Sequence, residues 1–264
     1  MAADPPAPDD GRVADDVDDA DDGRGDSPVA GRAWALALLA SLVLWHLPLG
    51  GVVLYPFKLL STWTHELSHA VVMTVTGAGF DRMEIFRDGS GLAYAHASLA
   101  GIGGAAIAAS GYMGASTFGA VVLALASTAR RARLALLGLG VVLAASAALA
   151  IGNRFGQGTI AAMAVPVLAV AVLAPPRWVI AAAQLLAAQA CVNAVLDIRV
   201  LFRPQLVVDG MAVGSSDAHA MAQATLGTSA PWAVSLWAGA WLAWSLGLLY
   251  IALRHVRRRP APTP

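Results

Sequence analysis

The sequence predicts an all-α polytopic membrane protein, with about six to seven transmembrane helices and a short membrane-associated β-hairpin. Three observations carry that expectation. The 264 residues are 58% hydrophobic and only 13% charged, far below the roughly 25% charged residues of a soluble globular chain. Apolar stretches long enough for a spanning helix, which needs roughly 20 residues, recur along most of the chain. Between two of them, "FDRMEIFRDGSGLAYAHAS" at 80–98 partly alternates apolar and polar residues around the turn-forming "RDGSG", as a hairpin does.

The formal charge of zero is the balance of two unlike parts. Residues 1–32 hold ten Asp against Arg12, Arg24 and Arg32, a net −7, and the remainder is +7. With almost no large apolar residues, the tail cannot offset its ordering entropy by burial and is expected to be disordered. It opens on aspartates rather than a basic stretch and an apolar core, so it does not read as a cleavable signal peptide. Residues 33–253 read as one transmembrane domain and 254–264 as a basic, Pro-rich tail. Cys191 is the single cysteine, which excludes an internal disulfide.

Within the domain, helices are placed near 33–49, 51–76, 99–127, 132–151, 159–174, 178–201 and 230–253. Pro56 either kinks the second helix or starts it. The connection at 203–231 is polar and rich in turn residues, with a short helix expected at 216–226 behind a Ser or Asp cap. The lipid bilayer is therefore a partner of the fold, expected to be a bacterial cytoplasmic membrane. No nucleic-acid partner is expected, and the oligomeric state is left open.

Seven acidic residues lie outside the tail, and five fall in predicted loops. Glu66 and Asp197 fall inside predicted helices, where a charge at membrane depth costs about 2.5 to 3.5 kcal/mol on insertion scales. Glu66 belongs to "HELSH" at 65–69. On a helix His65 and His69 share one face, a turn apart, with Glu66 beside them. In this H-E-x-x-H pattern two imidazoles bind Zn²⁺ and the glutamate takes a proton from the metal's water.

A catalytic zinc needs a third protein ligand. Asp197 is the candidate. Four crossings separate its helix from that of His65, so the two run in the same direction, and all three residues fall toward the C-terminal part of their helices. The simpler reading of Asp197 is an ion pair with Arg199 or Arg203.

With these residues placed, the chain resembles the site-2 protease family of intramembrane zinc metalloproteases, in its small bacterial M50B-like branch. The matching features are "HELSH", the following "VTGAGFDRMEIFRDGSG", the small-residue "ASGYMGASTFGA" at 109–120, Asp197 in "VLD", and "SDAHAMAQATLGTSAPWAVSLWAGAW". The resemblance implies that His65, His69 and Asp197 bind zinc and that Glu66 is the general base. It also implies that the substrate is a transmembrane protein segment, unwound and held as an added strand by the hairpin. Around Asp197 the chain departs from better-known members, with Gln189, Val192, Ala194 and Ile198 at positions that carry asparagine, prolines and glycine there. Asn193, one turn before Asp197, is the candidate substitute for substrate-backbone contact.

Two alternatives belong to other classes. A non-proteolytic membrane adaptor that retains the zinc site has no use for a general base, which Glu66 supplies. A metal or proton transporter commonly shows an internal repeat, and the two halves of this chain show no convincing one.

Overall fold

The computed structural model describes residues 49–202, 207–212 and 215–257, with Leu39, Val43, Leu44 and Leu47 before them. The expected acidic tail, nearly all of the helix expected at 33–49, and residues 258–264 lie outside the described residues. The described elements run α1 (Gly50–Thr76), β1 (Phe80–Ile85), β2 (Gly91–Ala95), α2 (Gly101–Leu125), α3 (Ala129–Leu149), α4 (Arg154–Leu173) and α5 (Pro176–Asp197). A 3₁₀ turn (Ile198–Phe202) follows, then β3 (Val207–Val208), β4 (Met211–Ala212), α6 (Asp217–Leu226) and α7 (Pro231–Arg257).

Five helices are long and apolar enough to cross a membrane: α2, α3, α4, α5 with its 3₁₀ extension, and α7. Large apolar side chains such as Ile102, Leu149 and Leu173 are almost fully exposed on them, as lipid contact requires. Helix α1 has 27 residues but falls outside that set. Polar residues on it, including Ser61, Thr62, His65, Glu66, Ser68 and His69, lower its hydropathy. The polar middle of the helix is sheltered by the other elements, with Glu66 and His69 each only 6% exposed.

Three apolar clusters hold the helices together. One joins α2, α3, α5 and α7 around Leu123, Leu136 and Val179. A second joins the first half of α2 to the 3₁₀ turn, α6 and α7 through Tyr112, Leu201 and Trp241. The third packs Leu59 and Trp63 of α1 against Met83 and Ile85 of β1, Leu143 of α3 and Ile160 of α4. The hairpin is thus seated on the helices by its own core-facing residues.

Polar bonds fix the hairpin's position. Tyr55, Lys58 and Thr62 of α1 donate to the carbonyls of Arg87, Asp88 and Gly89 in the β1–β2 turn, at 2.7, 2.5 and 2.7 Å. Beyond β1, the Met83 amide donates to Ala150 O and its carbonyl accepts from the Gly152 amide. Asn153 brackets Ile85, its Nδ2 donating to the carbonyl and its Oδ1 accepting from the amide.

This decides which edge of β2 is free. Opposed residues of an antiparallel pair either bond each other or point away from each other, in alternation. Met83 and Ile85 direct their backbone groups to the α3–α4 connection, so their partners Ala93 and Gly91 direct theirs outward. That outer edge of β2 faces the cavity described below.

The helix expected at 216–226 is α6, preceded by Ser216. The short β3–β4 pair before it has no counterpart in the expectations. It rests against the β1–β2 turn, where the Asp209 amide donates to Asp88 Oδ2 at 3.1 Å. Burial alone would raise the Asp88 carboxyl, but bonds from Ser90 and Asp209 and the Lys58 charge hold it below its ordinary range.

Candidate metal centre

A cavity of about 610 Å³ opens between α1, β2, the first half of α2 and α6. His65 and His69 project into it from one face of α1. The Nε2 atoms of the two imidazoles stand 3.0 Å apart. Asp217, the first residue of α6, brings its Oδ2 to 3.0 Å from His65 Nε2 and 3.3 Å from His69 Nε2.

These distances test whether the group fits one metal ion. Zn–N and Zn–O bonds of about 2.0–2.1 Å at a tetrahedral centre place neighbouring donor atoms about 3.3 Å apart. The three edges observed are close to that. His69 Nδ1 lies 2.8 Å from the Ile107 carbonyl, which can only accept. Nδ1 therefore carries the proton in neutral His69, and the Nε2 lone pair is left for a metal. Ser110, which donates to the same carbonyl at 2.7 Å, also lies 3.1 Å from Nδ1.

Burial alone would raise the Asp217 carboxyl. When His69 is protonated, its charge and the hydrogen bonds with both histidines outweigh that effect and hold it well below the usual carboxylate range. An anion that stays deprotonated beside two imidazoles is a suitable ligand for a divalent cation.

Glycine makes room for this cluster at one point. A Cβ on Gly111 of α2 would stand 2.4 Å from His65 Nε2 and 2.5 Å from His69 Nε2. The backbone of α2 therefore touches the ligating nitrogens directly. Gly91 plays the same part in β2, since a Cβ there would stand 2.9 Å from Glu66 Oε1. The Ala93 amide bonds the same carboxylate, so Glu66 is held between α1 and the free edge of β2.

The expected set of His65, His69 and Asp197 is not the set that the fold brings together. Among the described residues, the three that converge are His65, His69 and Asp217. Asp197, at the end of α5, is half-buried in the same cavity and accepts a hydrogen bond from Ser61 Oγ at 3.2 Å. Ser61 lies one helical turn before His65, so Asp197 sits at a neighbouring position rather than in the cluster. Of the two partners in the ion-pair reading, Arg199 instead donates to Leu196 O, and Arg203 lies outside the described residues.

Asn193 is buried between α5 and α1, where its Nδ2 donates to Phe57 O at 3.0 Å. It ties the two helices and does not line the cavity. Sequence reasoning missed Asp217 because it searched for acids inside predicted spans. The available signal was that "SDA", at the expected start of a short helix, held one of only seven acids outside the tail.

Comparison with known families and proteins adds one finding. A model of the Peptidase M50B-like family matches residues 34–252. No curated protein and no solved structure matches the chain.

Proposed function

The chain belongs to the Peptidase M50B-like family, an integral-membrane metalloendopeptidase family, and on that premise we propose that it hydrolyses a peptide bond in or near a transmembrane segment of a protein substrate. The observation that carries this reading is the convergence of His65, His69 and Asp217 beside Glu66 in one cavity.

In this reading His65, His69 and Asp217 hold a zinc ion. Zinc, when bound, polarises a carbonyl and lowers the pKa of its water to about 7. Glu66 takes the proton of the attacking water as the C–O bond forms, then delivers it to the leaving amine as the C–N bond breaks. The Ala93 amide and the close approach of Gly91 hold the Glu66 carboxylate in place for both transfers. Ser110 and the Ile107 carbonyl fix the ring of His69.

The substrate is read as an added strand. A helix spends its carbonyls on its own hydrogen bonds, so the scissile segment has to unwind before attack. The free edge of β2, with the Gly91 backbone groups and the Ala93 carbonyl directed outward, offers replacement partners beside Glu66. Asp197 is then a further carboxylate of the cavity, bonded by Ser61 one helical turn before His65.

Zinc content of the purified protein tests the ligand set. Near one zinc per chain is expected in the wild type and in Asp197→Ala, and little in His65→Ala or Asp217→Ala. Zinc kept by Asp217→Ala but lost by Asp197→Ala would return the third position to Asp197. No zinc in the wild type would sink the metallopeptidase reading.

A further inference from the structure

We propose that Tyr112 is a further catalytic residue, whose hydroxyl donates a hydrogen bond to the scissile carbonyl oxygen as it becomes an oxyanion. The proposal rests on the peptidase reading above and concerns a side chain that the reading does not use.

Tyr112 follows Gly111, the residue whose backbone touches both ligating nitrogens. Its ring is held on two sides. It meets the His65 imidazole edge-on, with centroids 4.8 Å apart and planes at 89°, and stacks on Trp241 of α7 at 5.3 Å and 8°. Both aromatics are nearly buried, Tyr112 at 9% and Trp241 at 3% exposure. Ring packing of this kind fixes both side-chain torsions, so the hydroxyl has a defined place.

Tyr112 lines the reaction cavity together with Glu66, Asp197 and Asp217. Yet the hydroxyl makes no hydrogen bond to any described residue. A tyrosine in a packed site normally has a partner for its O–H. Here the O–H stands ready for a group that arrives with the substrate.

The reaction needs such a donor. A strand laid along β2 turns alternate carbonyls away from that edge, into the cavity that Tyr112 lines. Negative charge forms on the carbonyl oxygen as Glu66 takes up the water's proton. A neutral phenol fixed beforehand stabilises it without reorganisation at the moment of reaction, which is the setting where one donor acts most strongly. No bond to Tyr112 is made or broken, and its proton stays on the phenol oxygen.

The test is Tyr112→Phe, which keeps the ring against His65 and Trp241 and removes only the hydroxyl. The expected result is unchanged zinc content and KM with kcat lowered roughly 10²-fold, the lower end for losing one oxyanion donor. A phosphinate peptide that mimics the tetrahedral state should lose affinity for the variant by the same factor. Affinity for the intact substrate peptide, measured in a Glu66→Gln background, should not change.

A kcat within threefold of wild type, or zinc content falling together with kcat, would overturn the proposal, the second by making Tyr112 a support for His65. A wild-type protein that binds zinc but cleaves no membrane segment would overturn the peptidase reading, and this proposal with it.

Discussion

The Oδ2 of Asp217 stands 3.0 Å from His65 Nε2, although 152 positions of sequence separate the two residues. One is on the long helix α1. The other opens α6, a ten-residue helix that follows a polar connection. The contact places the third donor of the cluster on an element outside the five membrane-crossing helices.

Asp217→Asn keeps the shape of the side chain and removes its charge. Zinc affinity should fall by more than the roughly 100-fold upper end seen when an outer-shell partner is lost. Competition against a chromophoric chelator reads this directly, and a loss below tenfold would argue against Asp217 as a ligand.

Glu66→Gln separates metal binding from catalysis. The amide cannot accept the water's proton, so hydrolysis should drop by about 10² to 10⁴-fold, the usual range for a general base. Zinc content should stay near the wild-type value. Cleavage that persists in the variant would remove Glu66 from the mechanism.

Gly111→Ala brings a methyl carbon to within 2.5 Å of both ligating nitrogens, closer than packed atoms can stand. The histidines or α2 must shift, and zinc should be lost while the helices remain folded. Gly138→Ala is the matching control, since nothing lies within 4 Å of a Cβ there. It should leave zinc untouched and, as a glycine replaced within a helix, stabilise by up to about 1 kcal/mol. Equal zinc content in the two variants would contradict the close approach of α2.

Asn153→Ala tests how the hairpin is held. Asn153 stands at the start of α4 but makes no side-chain cap there, because both ends of its amide are spent on Ile85. Losing both bonds at this half-buried position should cost about 1 to 3 kcal/mol. Protection of the β1 amides from hydrogen exchange should fall, and cleavage should weaken with zinc retained. Unchanged exchange at Met83 and Ile85 would show that the apolar seat alone positions β1.

Much of the fold was legible in the residues. The apolar stretches from residue 51 onward, the turn-like "RDGSG" and the short helix expected at 216–226 each correspond to a described element, within a few residues of the expected bounds. These are local signals, set by hydropathy over one helix length or by turn chemistry over four residues. The match of His65, Glu66 and His69 to a metal-binding helix face is local too, because helical spacing alone puts them together.

What the sequence by itself determined, then, is a membrane-embedded helical protein carrying a helix face with two histidines in a metal-binding pattern and a glutamate beside them. Only the tertiary structure decided which of two carboxylates meets that face, that Asn193 ties α5 to α1, that Gly111 is the point where α2 can touch the imidazoles, and that the free edge of β2 lies against Glu66. Helix direction was compatible with Asp197 reaching the cavity of the histidines, where it meets Ser61, but direction does not fix rotation about the axis or lateral position to the few ångströms a ligand requires. The length and turns of the connection before α6 carry no signal for where Asp217 lands. Its position is set by packing of α6 against α2 and α7 through Ala218, Met221 and Ala222, contacts between residues far apart in the chain.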